Sequence, residues 1–205
     1  MIRNIVFDLG NVLLNWNPEQ HFIRKGLSHE EREVILSEVF RAPEWPMLDN
    51  GDLSLWEAVE RISVRSTLNT DQILAAFNSR LEILFPLDFN IKLLPGLKKA
   101  GFKLYYLSNF PEDIFDEVTA KNSFFTLFDG GIISARVRLS KPDPEIFRHL
   151  AGNYNLEYGE TLFIDDIKTN VDAAVSLGMK GIHLKDQTGL RAHLEELLGI
   201  VIPEY

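Results

Sequence analysis

Six polar side chains of this sequence stand just after short apolar stretches or just before a helix start, and together they have the residue types needed for chemistry on a charged substrate. They are Asp8 after "NIVF", Ser108 and Asn109 after "KLYYL", Lys141 in "LSKPDPEIF", and Asp165 and Asp166 after "TLFI". Carboxylates brought close together repel one another and need a cation between them. Mg²⁺ suits such all-oxygen ligands. With the charge offset by the ion and by Lys141, one carboxylate can attack phosphorus as a nucleophile.

The elements that would bring these groups together are short buried strands. The apolar runs at 1–9, 102–107, 131–135, 161–164 and 181–184 are bounded by Gly or polar residues. Runs this short and this apolar are typical of strands buried on both faces of a parallel sheet. Because the carboxyl ends of parallel strands lie at one edge, the polar residues after them are expected to converge there.

Helices are predicted between the later strands. In "DPEIFRHLAGNY", Asp143 is the expected N-cap, with Pro144 at the first helical position. The stretch "NVDAAVSLG" ends on Gly178, a typical helix stop. Alternation of strand and helix predicts an α/β fold with an open parallel sheet.

Residues 18–92 have a different pattern, with helix signals and no clear strand. Capping boxes are predicted at Ser28 to Glu31 and at Ser54 to Glu57. Two sets of apolar residues follow a helical period, namely Leu55, Ala58, Val59 and Ile62, and Leu74, Phe77, Leu81 and Leu84. We therefore predict a core formed by residues 1–17 and 93–205, and a helical cap formed by 18–92 over the ligand-binding edge of the sheet.

The composition limits the class of partner. The chain has 205 residues, 45% of them hydrophobic, and a formal net charge of −9, which makes nucleic acid an improbable partner. It has no cysteine and no run of about 18 apolar residues, so neither a thiolate site nor a membrane span is expected. The start does not have the pattern of a signal peptide. A cytoplasmic protein, monomeric or dimeric, that acts on a small molecule is expected.

The stretches "FDLGNVLLNW", "LSNF", "SKPDPEIF" and "FIDDIKTNVDAA" together resemble the haloacid dehalogenase-like hydrolases in order and spacing. Within that superfamily the sequence is most similar to small sugar-phosphate phosphatases of the glucose-1-phosphate type and to the phosphatase-like domain of epoxide hydrolases. The resemblance implies a Rossmann-like open parallel sheet with an inserted α-helical cap. The segment "DNGDLS" is similar to an element of the cap in this group.

The resemblance also implies a Mg²⁺-dependent phosphatase with defined residue roles. Asp8 would be the nucleophile that forms an aspartyl-phosphate, and Lys141 would stabilise it. Ser108 and the Asn109 amide would bind the phosphoryl group. The implied metal ligands are Asp8, the Gly10 carbonyl and Asp166. Asp165 would act through a metal-bound water and Asn170 would orient the ligands from behind.

Gly10 departs from the family pattern, which usually places an aspartate two residues after the nucleophile. That aspartate protonates the leaving oxygen, a contribution of about 10²–10⁴-fold in rate. Three explanations remain open. The leaving group departs without a proton, another group such as Asp49 or a water next to Asn11 supplies it, or the protein mainly binds its ligand.

Two other functions compete with the phosphatase. A metal-free 2-haloacid dehalogenase would also use an Asp and a Lys, but it leaves the Asp165–Asp166 pair unexplained. A regulatory protein that binds phosphate with little turnover is favoured by Gly10. Of the three tryptophans, Trp56 is expected in the core of a helical packing, whereas Trp16 and Trp45, beside predicted loops, are candidates for substrate contact.

Overall fold

A five-stranded parallel sheet forms the centre of the computed structural model, which describes residues 1–203. The strands are β1 (Asn4–Phe7), β2 (Lys103–Ser108), β3 (Gly130–Ile133), β4 (Thr161–Asp165) and β5 (Lys180–His183), in the order β3-β2-β1-β4-β5. The predicted α/β fold with an open parallel sheet is confirmed. Residues 204 and 205, part of the predicted core, lie outside the described residues.

Eight helices and one π-helical turn lie between β1 and β2 in the described residues, and the first six helices and the π turn end by Ile83. They are α1 (Pro18–Arg24), α2 (His29–Ile35), the π turn (Leu36–Phe40), α3 (Glu44–Asp49), α4 (Leu55–Arg65), α5 (Thr70–Asn78) and α6 (Arg80–Ile83). Both predicted capping boxes are present, at the starts of α2 and α4. The residues Leu74 to Leu84, which follow a helical period, are divided between α5 and α6, because the helix is interrupted at Ser79, whose hydroxyl donates to the carbonyl of Ala76.

Of the remaining helices, the first two complete the segment before β2 and the others follow the later strands. They are α7 (Asp88–Ile91), α8 (Leu94–Lys99), α9 (Glu112–Lys121), α10 (Ser134–Val137), α11 (Pro144–Tyr154), α12 (Lys168–Ser176) and α13 (Leu190–Leu198), with 3₁₀ turns at Ser123–Leu127, Tyr158–Glu160 and Gln187–Gly189. Asp143 caps α11 as predicted, its carboxylate accepting from Glu145 N. Gly178 follows the C-cap Leu177 with a φ of +99°, a conformation that glycine adopts without strain.

Both faces of the sheet are covered, as the apolar strands predict. Ile5 and Phe7 of β1 point into one buried cluster, whereas Val6 points into the other. In the register of the sheet, Phe7 lies opposite Tyr106 of β2 and Ile164 of β4. The residues after these three central strand positions therefore emerge side by side at the carboxyl edge.

The predicted strand at 131–135 is too long. Strand β3 ends at Ile133 and the chain turns directly into α10 at Ser134. The Ser134 hydroxyl is fully buried, where it accepts from Phe110 N at 2.9 Å and donates to the carbonyl oxygen of Asp49. Ser134, which the sequence places in the strand, thus connects the sheet edge to α3.

A separate apolar cluster holds the π turn, α3, α4 and α5 together. It contains Val39, Val59, Ile62, Ile73 and Phe77 among others. The expectation for Trp56 is wrong: it lies on α4 but is 67% exposed, because Ala58, Val59 and Ile62 take the buried face. The division into a core and a cap at residues 18 and 92 stays a prediction. Within residues 1–203, no helix has the length and apolar character needed to cross a bilayer.

Candidate active site

The predicted site residues meet at one cavity of about 220 Å³ above the carboxyl edge of the sheet. Its lining includes all of them except Asp165, namely Asp8, Gly10, Ser108, Asn109, Lys141, Asp166 and Asn170. Asp8 follows β1, Ser108 ends β2 and Asp165 ends β4, so the parallel register brings them together. The expected convergence of these residues is therefore present, although their individual roles are not tested by their position.

Lys141 is the central charge of the site. Its ammonium Nζ lies 2.9 Å from Asp8 Oδ1 and 2.7 Å from Asp165 Oδ2, and its side chain is 1% exposed. Burial alone would lower the pKa of Lys141, but the two carboxylates outweigh this effect and raise it. The side chain is therefore a fixed positive charge beside the Asp8 carboxylate.

Asp165 lies beneath the cavity rather than in its lining. Its side chain is fully buried, and its Oδ2 accepts from Lys141 Nζ and from Asn170 Nδ2, the latter at 3.0 Å. Its Oδ1 accepts from Ile167 N at 2.7 Å. These donors satisfy both oxygens, so Asp165 positions Lys141, and Asn170 in turn holds Asp165 in place.

Three carboxylates are close enough to share a cation. One oxygen each of Asp8, Asp165 and Asp166 lie within 4.8 Å of one another. The set contains oxygen donors alone and is partly open at Asp166, which fits a hard divalent ion that keeps several waters. By ligand type, the residues present fit Mg²⁺.

Asn11 is a site residue whose role the sequence did not reveal. Its Nδ2 donates to Asp166 Oδ2 at 3.0 Å, while its Oδ1 accepts from Trp16 N and from Gln187 Nε2 at 3.0 and 3.1 Å. Its φ of +54° is in the left-handed region, which asparagine tolerates better than most residues. The Gly10–Asn11 pair was the one local sign of a turn here. The hydrogen-bond partners of Asn11 come from distant parts of the chain, so its role could not be predicted.

The protonation of the carboxylates follows from burial. Desolvation raises the pKa of Asp8 to about 7, although the Lys141 ammonium opposes the rise and the Asp165 carboxylate adds to it. Burial also raises the pKa of Asp166, against the effect of the Asn11 hydrogen bond. A bound cation would favour the ionised form of both groups.

Asn109 and Ser108 contribute differently to the site. The Asn109 side chain is taken up by the backbone of Lys141, with Nδ2 donating to Lys141 O at 2.9 Å and Oδ1 accepting from Lys141 N at 2.8 Å. The side-chain amide of Asn109 therefore positions Lys141. The Ser108 hydroxyl lies close enough to Asp8 to hydrogen-bond its carboxylate and favour the ionised form.

Gly10 lines the cavity and leaves room for a side chain. A Cβ at this position would meet no atom closer than Trp16 Cβ at 3.9 Å, and its φ is not in the left-handed region. Neither the backbone conformation nor the space around a Cβ therefore requires glycine at this position.

A second part of the cavity wall comes from the segment between β1 and β2. Trp16 and Trp45 pack with ring centroids 5.4 Å apart, and Asp49, Arg80 and Leu84 complete this wall. The Arg80 side chain is 2% exposed and pairs with Asp113 of α9, with Nη2 to Oδ2 at 2.5 Å. Nothing in the sequence around Arg80 indicated a place in the site, because its partner lies 33 residues away.

Comparison with known proteins agrees with this geometry. The sequence model of the haloacid dehalogenase-like hydrolases matches residues 2–178. The chain belongs to this family. As a member of it, the protein is a hydrolase, and the resemblance carried by the four motifs is confirmed.

Two relatives that match nearly the whole of this chain are named as phosphatases. The sesquiterpene phosphatase astK of Aspergillus oryzae is 29% identical over 95% of each chain. The D-ribitol-5-phosphate phosphatase of Bacteroides thetaiotaomicron is 26% identical over 97% of this chain and 99% of its own. This member of the haloacid dehalogenase-like hydrolases is thus similar to phosphatases for two different alcohols.

A solved structure provides a comparison for the metal. A haloacid dehalogenase-family enzyme of Bacteroides thetaiotaomicron, in complex with magnesium and inorganic phosphate, has a TM-score of 0.67 and 27% identity. The match covers 89% of this chain and 93% of that one. The predicted Mg²⁺ cofactor agrees with that complex and with the carboxylate cluster at the sheet edge.

Proposed function

We propose that this protein is a Mg²⁺-dependent phosphatase that transfers the phosphoryl group of a small phosphorylated metabolite to Asp8 and then hydrolyses the aspartyl-phosphate. The observation that carries the proposal is the ammonium of Lys141 held 2.9 Å from Asp8, beside a carboxylate cluster that needs a cation. An Asp nucleophile attacks phosphorus best when neighbouring positive charge offsets its own and that of the phosphate.

The metal site in this proposal is formed by Asp8, Asp166 and the carbonyl of Gly10. Mg²⁺ would neutralise the charge of the phosphoryl oxygens when bound. Asn11 orients Asp166 through its 3.0 Å hydrogen bond, and Asp165 with Asn170 supports the cluster from beneath. These residues would hold the ligand oxygens in place before the substrate arrives.

The phosphoryl group would be bound by the loops after β2 and before α11. Ser108 supplies a hydroxyl and Lys141 an ammonium, both within reach of Asp8. Because the Asn109 side chain is occupied by Lys141, its part in phosphoryl binding falls to its backbone N–H. This arrangement resembles the electrostatic stabilisation that phosphoryl transfer requires.

The size and lining of the cavity favour a small alcohol. About 220 Å³ is below the roughly 300–1,000 Å³ usual for drug-sized ligands, which favours a sugar or polyol phosphate over a sesquiterpenyl chain. Trp16 and Trp45 can pack on the apolar face of such a ring or chain, while Asp49 and Arg80 offer polar contacts. In this proposal residues 18–92 act as the cap that sets specificity.

The test is phosphate release from a panel that contains p-nitrophenyl phosphate, glucose 1-phosphate, ribitol 5-phosphate and farnesyl monophosphate. The Asp8→Asn variant should lose essentially all Mg²⁺-dependent release. Asp172→Asn is the matched control, because Asp172 is an exposed residue that pairs with Lys168 on the surface of α12. Sugar or polyol phosphates should be hydrolysed faster than the isoprenoid ester.

Each competing function has its own result in the same experiment. Full activity of Asp8→Asn would remove the assignment of the nucleophile. Halide release from a 2-haloacid that is insensitive to EDTA would favour the dehalogenase. Binding of Mg²⁺ and phosphate without turnover of any ester would favour the regulatory protein.

A further inference from the structure

The reaction proposed above needs a proton donor that Gly10 does not supply. When the bond between phosphorus and the leaving oxygen breaks, an alkoxide forms unless a proton reaches that oxygen. Gly10 lines the cavity at the position where the family usually carries this acid, and it has no side chain. Since this inference rests on the proposed phosphatase, its test is designed so that the two can fail separately.

Asp49 is a carboxyl group that lines the same cavity as the proposed nucleophile. It is the last residue of α3 and shares the cavity lining with Asp8 and Lys141. Its charge interacts with those of Asp8 and Lys141, so the three groups are close in space. Because Asp49 comes from α3 and not from the sheet edge, we expect the alcohol of a phosphoryl group bound at Asp8 to come within its reach, as a general acid requires.

The backbone around Asp49 is fixed to the sheet edge. The Ser134 hydroxyl donates to the Asp49 carbonyl, and Ser140 Oγ donates to Asn50 Oδ1 at 2.8 Å. Gly51 follows with a φ of +73° and packs against the backbone of Ala135. Three successive residues thus hold this end of α3 against the loops that carry the catalytic groups, which gives the precise placement that proton transfer needs.

The surroundings of the Asp49 side chain favour the protonated form of its carboxyl group. Within residues 1–203, no group donates a hydrogen bond to its carboxylate. Burial raises the pKa of Asp49 to about 8, although the Arg80 guanidinium opposes the rise. Asp8 and Asp113 raise it further and Lys141 lowers it. At neutral pH the group is mostly a neutral acid, the form that a donor to the leaving oxygen requires.

Other titratable groups of the cavity are less suited to the same task. The Arg80 guanidinium is held in place by its ion pair with Asp113. Lys141 is held between Asp8 and Asp165, and Asp166 belongs to the metal cluster. On α3 itself, Glu44 is paired with Arg65.

We propose that Asp49 is the general acid and base of this enzyme, in place of the carboxylate absent at Gly10. Asp8 Oδ attacks phosphorus, the bond from phosphorus to the leaving oxygen breaks, and the Asp49 carboxyl proton passes to that oxygen. The Asp49 carboxylate then takes a proton from water as the water oxygen attacks phosphorus. The bond between phosphorus and Asp8 breaks, phosphate leaves, and both residues return to their starting forms.

The test compares leaving groups in the Asp49→Asn variant. We expect kcat/KM to fall by about 10²–10⁴-fold for an alkyl phosphate, whose alkoxide leaves poorly, and far less for p-nitrophenyl phosphate. The ratio of the two losses does not depend on the fraction of protein that is folded. In the wild type, kcat/KM for the alkyl ester should decline above about pH 8, and this limb should disappear in Asp49→Asn. Asp172→Asn, which removes an exposed carboxylate on α12, is the control.

A second variant tests the same idea by replacement. Gly10→Asp introduces a carboxyl group where the structure leaves space, so it should restore alkyl phosphate hydrolysis to Asp49→Asn. Equal losses of kcat/KM for both leaving groups, with no rescue by Gly10→Asp, would assign Asp49 to substrate binding and overturn its acid role while the phosphatase stands. A wild type that hydrolyses no phosphate ester would instead overturn the proposed function, and this inference with it.

Discussion

The ammonium of Lys141 lies 2.7 Å from the carboxylate of Asp165, and neither side chain is more than 1% exposed. A buried ion pair of this kind contributes little net stability when intact, but removing one partner leaves an uncompensated charge. The same ammonium also faces Asp8, so the pair aligns the positive charge with the nucleophile.

Replacing Lys141 with Met should therefore destabilise the fold as well as remove activity. We expect a loss of about 3–5 kcal/mol in the free energy of unfolding, because Asp165 is left buried without its cation. Urea unfolding measures it. Lys168→Met is the control, since its exposed pair with Asp172 is expected to contribute less than about 1 kcal/mol. Equal effects of the two changes would show that the buried pair has no special role.

Replacing Asn11 should weaken the metal site. Both Asn11→Ala and Asn11→Gly remove the hydrogen bond to Asp166, and we expect the Mg²⁺ affinity to fall by about 10–100-fold in each. Only Asn11→Ala should also lose about 1–2 kcal/mol through its positive φ, because glycine adopts that conformation freely. Titration calorimetry with Mg²⁺ and thermal unfolding separate the two effects. Unchanged affinity in both variants would remove Asn11 from the metal site.

Substitution of Gly51 tests whether the contact between the end of α3 and the sheet edge matters for the site. A Cβ there would lie 2.5 Å from the carbonyl oxygen of Ala135, whereas at Gly26, with a similar positive φ, it would meet nothing within 4 Å. Both changes to alanine carry the backbone strain of about 1–2 kcal/mol, but only Gly51→Ala should also raise KM. Steady-state kinetics of the two variants provide the comparison. A similar KM in both would mean that this contact does not matter for the site.

The charge of Asp113 should set the pH range of activity. Asp113 raises the pKa of Asp49, so Asp113→Asn is expected to move that pKa below its value of about 8. An acid must be protonated to act, so activity is present below its pKa and lost above it. The alkaline limb of kcat/KM for an alkyl phosphate should therefore shift to lower pH. Asp116→Asn, on the exposed side of the same helix, should leave the limb in place, and a shift of equal size there would contradict this assignment.

Much of the site was predictable because the topology of the strands determines where its residues lie. Asp8, Ser108 and Asp165 each end an apolar run, and parallel strands must bring such ends to one edge. The capping boxes at Ser28 and Ser54 were equally local signals, since their partners lie three residues away.

The parts that were not predicted depend on contacts between distant segments. Arg80 is held at the site by its ion pair with Asp113, and the Asn109 side chain hydrogen-bonds to the backbone of Lys141. Trp56 has an apolar side chain on a helix, yet the rotation of α4 about its axis leaves it in solvent. These outcomes depend on how the helices pack, and local periodicity does not determine that packing.

The most direct test of the central claim uses inorganic phosphate alone. If Asp8 forms a bond to phosphorus, phosphate labelled with heavy oxygen should lose its label to water in the presence of enzyme and Mg²⁺. Mass spectrometry of the phosphate measures this exchange. The wild type and Asp172→Asn should exchange at the same rate, and Asp8→Asn should not exchange. Exchange by Asp8→Asn at the rate of the wild type would contradict the assignment of Asp8 as the nucleophile.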